Sequence, residues 1–125
     1  MVGTIVGCLV GGVYLLASQA LPATVAAVVA VSFGTAITGA FHLDGLADSA
    51  DAFAGGTTVE RRFEILKDSR LGTYGTSALV LVLFLEIAAL ATLMPSTGLI
   101  ALVTAHGIGR ASAVAVSYTH LTLPT

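Results

Sequence analysis

Apolar positions fill four runs of the chain, and polar positions gather almost entirely in one window between the second and the third run. Residues 1–18 carry no charged side chain, and Gly3, Gly7 and Gly11 fall four apart. On a helix these glycines share one face, cleared for close backbone approach. This run is predicted to be a first membrane span. A cleaved signal peptide would bring a basic residue before its apolar run, and none is present here. After a short break at residues 19–22, residues 23–41 are uncharged and predict a second span, the antiparallel neighbour of the first. Residues 76–94 and 99–117 predict a third and a fourth, joined by a turn that starts at Pro95. Residues 118–125 follow neither a helical nor a strand period and contain Pro124. They are read as an irregular tail, with its nativeness left open.

Composition turns these runs into a fold class. Of the 125 residues, 56% are hydrophobic and only 10% charged, which is too oily for a soluble domain. The expectation is an all-α, polytopic membrane bundle of about four spans, a single domain over residues 1–117, lying in a lipid bilayer. A net charge of −2 excludes a nucleic-acid partner, which would need a basic face. Cys8 is the only cysteine, so an intrachain disulfide is impossible, and packing is its expected role.

The polar window, residues 42–75, holds six of the seven acids and four of the five lysines and arginines. Short loops rich in Lys and Arg stay cytoplasmic, which predicts a cytoplasm-facing window and places Arg110 in the later, cytoplasmic half of the last span. Within "FHLDGLADSADAF" the helical period sets Asp48 about 40° from Asp44 and Asp51 about 20° to the other side. Three carboxylates on one face repel one another, and each costs about 2.5–3.5 kcal/mol if placed at mid-bilayer. A hard divalent cation removes that penalty, and Mg²⁺ takes one or two carboxylates while sharing its other positions with water and phosphates. Asp44, Asp48 and Asp51 are therefore the candidate metal ligands. The competing reading makes them solvated loop residues, with Asp44 a helix cap.

Further along, "TTVERRFEILKDSRLGTYG" predicts an amphipathic interfacial helix capped by Thr57 or Thr58, with Glu60 and Arg61 in surface ion pairs. Lys67, Asp68 and Arg70 precede a Gly-rich turn whose free N–H groups at a helix start suit a phosphate. Glu86 lies within the third span, a position where an acid is functional or paired to a polar neighbour. His106 and Arg110 are four apart on the fourth span, so Arg110 either pairs with an aspartate of the window or binds a substrate phosphate. His42 is either a catalytic base, a ligand or a hydrogen-bonding residue at a helix boundary.

"FHLDGLADSADAF" followed by "ERRFEILKDSRLGTYG" closely resembles the cobalamin synthase family, the adenosylcobinamide-GDP ribazoletransferases. "GRASA" is similar to the family's Ser-Arg stretch, with Gly109 in place of the serine. The resemblance implies an enzyme of the bacterial or archaeal cytoplasmic membrane that joins α-ribazole, or its 5′-phosphate, to adenosylcobinamide-GDP. GMP is released and Mg²⁺ is required. It implies Asp44, Asp48 and Asp51 as metal ligands, and Lys67, Arg70 and Arg110 as the phosphate clamp. Asp44, Asp68 and His42 form the catalytic set, Asp68 being a ligand or the general base. Family members are longer, so this chain reads as the front-to-middle part of such an enzyme; a homo-oligomer is allowed for.

Two other classes compete. A CDP-alcohol phosphotransferase would carry Ala-Arg shortly after Asp-Gly, whereas Asp44-Gly45 is followed by Leu46-Ala47-Asp48. A cation transporter would place acids in facing spans at mid-membrane, whereas here they gather at the end of one.

Overall fold

The computed structural model describes residues 1–122, with the side chains of residues 1–118. Six helices account for almost all of them: α1 (Val2–Ala17), α2 (Ala23–Ile37), α3 (Phe41–Gly55), α4 (Val59–Lys67), α5 (Thr73–Ala91) and α6 (Pro95–Thr122). Among the described residues there is no strand, as the all-α expectation requires.

The number of spans differs from the expected four. Thr73–Ala91 and Pro95–Tyr118 are long and apolar enough to cross a membrane. α2 and α3 meet that measure only as a pair bent by 89°. α1 is apolar but has 16 residues, which at 1.5 Å each rise about 24 Å against a hydrocarbon core of about 30 Å. Length thus supports two spans, or three if the bent pair counts as one. The second apolar run breaks earlier than expected because Gly39 and Ala40 both adopt left-handed backbone (φ 63° and 58°), ending α2 and turning the chain into α3.

The glycine stripe of α1 packs against α6. A side chain at Gly11 would meet Leu99, at Gly7 it would come within 2.6 Å of the Val103 Cα, and at Gly3 it would strike His106 and Arg110. Each four-residue step back along α1 meets roughly four residues onward along α6, so the two helices lie antiparallel in close backbone contact. This is the most extensive helix contact of the fold, exceeding that of α1 with its sequence neighbour α2. Cys8 is exposed, outside the packing role expected of it.

Val10, Tyr14, Ala26, Ala27, Ala30 and Leu90 form the core, where α1, α2 and α5 meet. Tyr14 is 1% exposed, and its hydroxyl donates to the Leu90 and Leu93 carbonyls at 2.8 and 3.2 Å. The hydroxyl thereby joins the Leu93 N–H on the Leu90 carbonyl and ties α1 to the end of α5. α6 continues through Thr122, so residues 118–122 are helical and the irregular tail expected there is not found. The remainder of that tail, residues 123–125, lies outside the described residues.

Candidate functional site

α3 leaves α2 nearly at a right angle and carries the acidic residues across one end of the bundle. Its aspartate face emerges gradually from burial. Asp51 is 9% exposed, Asp48 is half-buried and Asp44 is exposed. The cover is the start of α5, which packs on the later half of α3.

Asp51 accepts hydrogen bonds from the Gly72 and Gly75 backbone N–H groups, at 2.7 and 2.9 Å. A helix start leaves its first N–H groups without intrahelical partners and favours negative charge. The Gly-rich turn, expected to take a phosphate, instead receives this carboxylate from within the chain. Glycine is required at both positions, because a Cβ on either would collide with the Asp51 carboxylate. Asp51, expected among the metal ligands, is thus occupied as the anion that fastens α5 to α3. Among the described residues no three His, Cys, Asp or Glu side chains converge as a metal-holding group.

Asp44 and Asp48 remain. They lie one turn apart on α3, and among the described residues neither carboxylate has a hydrogen bond or ion pair. Side chains four apart are neighbours on a helix surface. A side chain at Gly45 would meet nothing within 4 Å, so space is open beside them. Two accessible carboxylates facing open space match the donor set of Mg²⁺, which keeps several positions for water and substrate phosphates.

The Asp51 fastening also determines where the cations lie. Arg70 is two residues before Gly72, so their Cα atoms are at most about 8 Å apart. The Asp68–Arg70 pair is therefore tethered near the Asp51 end of α3, and α4, which ends at Lys67, packs on the same helix. Asp68 and Arg70 form an ion pair with N–O distances of 2.7–3.2 Å, and Asp68 also accepts from the Arg70 backbone N–H at 3.0 Å. These hydrogen bonds hold the Asp68 carboxyl at about 2 and raise the Arg70 guanidinium further above its usual range. Both Asp68 oxygens are thus engaged by Arg70. The Arg70 side chain is 88% exposed and presents its remaining N–H groups to solvent.

α4 begins at Thr58, whose hydroxyl accepts from the Arg61 backbone N–H at 3.2 Å. Arg61 pairs with Glu64 at 2.7 Å on the exposed surface, an ion pair of the bland kind expected. Arg62 was not singled out by the sequence. Its Nε–H donates to the Gly56 carbonyl at 2.9 Å and its guanidinium stands 5.3 Å from the Phe53 ring centre, closing the turn between α3 and α4. Proximity of Phe53, Gly56 and Arg62 along the chain is the only sequence signal for it.

His42 and Arg110 are not brought to the aspartates. His42 is two residues before Asp44, hence about 200° around the helix from it, and its Nδ1 lies 3.5 Å from the Thr38 hydroxyl. Its ring faces a cleft whose lining includes His106 and Arg110 but neither Asp44 nor Asp48. Among the described residues Arg110 forms no ion pair, so the expected alternative of pairing with a window aspartate is not found.

Comparison with known proteins agrees with the layout of the chain. The family model described as cobalamin-5-phosphate synthase matches residues 1–124. The adenosylcobinamide-GDP ribazoletransferase of Shewanella frigidimarina (strain NCIMB 400) is 46% identical over 113 residues, covering 88% of this chain and 43% of that protein. Those of Shewanella amazonensis (strain ATCC BAA-1098 / SB2B) and Vibrio vulnificus (strain YJ016) are each 43% identical, covering 96% and 94% of this chain and 47% of either relative. The chain spans about half the length of the curated relatives it matches. No solved structure matches it significantly. Since the match runs along essentially the whole chain and takes in the acidic helix, the tethered cations and the membrane-length helices alike, the chain belongs to the cobalamin-5-phosphate synthase family.

Proposed function

We propose that this chain carries the metal and phosphate half of a membrane-embedded adenosylcobinamide-GDP ribazoletransferase. The single observation that carries this reading is the pair of unpartnered carboxylates, Asp44 and Asp48, one turn apart on the helix to whose far end Asp51 fastens the turn that follows Arg70. Phosphoryl transfer needs mainly positioning and charge neutralisation on the phosphate oxygens, and this arrangement offers both.

Asp44 and Asp48 would hold Mg²⁺. When bound, the ion supplies neutralisation of the diphosphate oxygens of the nucleotide substrate. Lys67 and Arg70 present further positive charge to those oxygens, and Asp68 keeps the guanidinium of Arg70 in place. A hydroxyl of α-ribazole attacks the phosphorus that bears the adenosylcobinamide group. A new P–O bond forms, the bond to GMP breaks, and GMP leaves with that electron pair. The hydroxyl proton passes to solvent or to a general base. Residence in the bacterial or archaeal cytoplasmic membrane, with α3 and α4 on the cytoplasmic side, follows the distribution of Lys and Arg.

The test is GMP release from adenosylcobinamide-GDP and α-ribazole by membranes that contain the chain, with and without Mg²⁺, set beside Asp44→Asn. Metal-dependent release that the substitution abolishes, while helix content stays constant, is the expected outcome. Turnover at an unchanged rate in Asp44→Asn would remove Asp44 from the metal site. A full-length relative run in parallel shows whether an inactive chain merely lacks the other half.

A further inference from the structure

α5 and α6 leave their connecting turn and splay apart, each packing on a different partner, α5 on α2 and α3 and α6 on α1. Between them opens a cleft of about 610 Å³, floored by α2 and lined by residues of five helices. Its walls are largely apolar and small, with Val31, Gly34, Leu102 and Ala105 among them. Its titratable groups are unevenly placed. His42 of α3 lines it together with His106 and Arg110 of α6, which are one helical turn apart. Glu86 of α5 is the remaining titratable group of the lining, and α1 and α2 contribute none. Glu86 is thirteen residues into α5, about 20 Å from the end where α3 lies.

An apolar slot between two membrane-length helices, with the Arg110 guanidinium in its lining, complements a molecule with an anionic head and hydrocarbon tails. We propose that the α5–α6 cleft binds an anionic phospholipid of the leaflet on the α3 side, with its phosphate on Arg110, His42 and His106 and its acyl chains between α5 and α6. Charge complementarity selects the head, since Arg110 has no acidic partner among the described residues. Depth selects the tails. One leaflet of a core about 30 Å thick is about 15 Å deep, so chains anchored at Arg110 end before they reach Glu86. Basic pockets between membrane helices are established sites for anionic head groups. The site is distinct from the Asp44 and Asp48 face and does not depend on the function proposed for it.

The chain contains no tryptophan, so one introduced at Ala105, an exposed residue of the cleft wall, reports on this place alone. Ala105→Trp is reconstituted in phosphatidylcholine bilayers doped with acyl-brominated phosphatidylglycerol or acyl-brominated phosphatidylcholine, and quenching is compared. Leu81→Trp, on the exposed surface of α5 outside the cleft, is the control. The expected result is an apparent affinity about five-fold higher for the anionic lipid at position 105, equivalent to about 1 kcal/mol, with no preference at position 81. Adding Arg110→Gln or His106→Gln to Ala105→Trp should reduce the preference, while Arg110→Lys retains most of it; circular dichroism verifies folding of each. Equal quenching by both lipids at position 105 overturns the proposal, as does a preference that survives Arg110→Gln in a folded chain. If lipid preference is absent while inorganic phosphate alone alters the emission at position 105, the site takes a soluble phosphate and the lipid assignment falls.

Discussion

Asp51→Asn separates the structural aspartate from the two proposed to hold metal. In the native chain both Asp51 oxygens accept backbone N–H bonds, from Gly72 and Gly75, at a position 9% exposed. Hydrogen bonds to a charged group contribute about 1.5–3 kcal/mol each, so the pair contributes about 3–6 kcal/mol. Asparagine keeps one neutral bond, worth about 0.5–1.5 kcal/mol, and turns its amide N–H groups towards the other donor. The expected loss is about 2–5 kcal/mol, concentrated where α5 joins α3. Unfolding of the chain in mixed micelles, followed by circular dichroism, measures the total. Hydrogen exchange at the Gly72 and Gly75 amides localises it, and both amides should exchange markedly faster than in the native chain. Unchanged stability with both amides still protected would refute the argument that Asp51 is the anion of this helix start. Loss of metal binding without loss of stability would return Asp51 to the ligand set.

Three further outcomes follow from the packing and the electrostatics. Gly7→Val should force α1 and α6 apart, because a Cβ at this position comes within 2.6 Å of the Val103 Cα, which is backbone and cannot rotate away; a destabilisation of about 1–3 kcal/mol is expected in the same unfolding assay. Tyr14→Phe removes the donor to the Leu90 and Leu93 carbonyls while keeping the ring, and should cost about 0.5–1.5 kcal/mol, the worth of a neutral hydrogen bond, since the buried Leu90 carbonyl keeps the Leu93 N–H. The Asp68 carboxyl, lowered from 3.8 to about 2 mainly by the Arg70 side chain, favours the folded linker at pH values above its unfolded pKa. That contribution declines as pH falls below 3.8 and is lost as pH passes through about 2. Carboxyl chemical shifts should follow this titration, and Arg70→Gln should move its midpoint back towards 3.8.

Much of this protein was legible in the order of its residues. Uncharged runs mark the long helices because a lipid-exposed segment must satisfy its own backbone and expose apolar side chains. Gly56 marks the end of α3, where a side chain would collide with Arg62 and the Ala52 carbonyl, and Thr58 marks the start of α4 because its hydroxyl supplies a local acceptor. The acidic face of α3 follows from helical period alone. Each of these signals acts over a few residues, which is the range that a sequence pattern encodes.

What the tertiary structure decided concerns partners far apart in the chain. Helical period places Asp44, Asp48 and Asp51 on one face, but it does not say that α5 covers the end of that face and leaves the beginning open. Asp51 finds its donors 21 and 24 residues away, so a residue that looks like a third ligand becomes the fastening of the site. The glycines of α1 announce a close neighbour without naming it, and the neighbour is α6, while α2 meets α1 at Val10. Period likewise puts His106 and Arg110 on one face, while only the splaying of α5 from α6 turns that face into the wall of a cleft shared with His42. Local sequence determines which groups a helix can present, and packing determines which of them are covered, because burial depends on the surface that another segment brings.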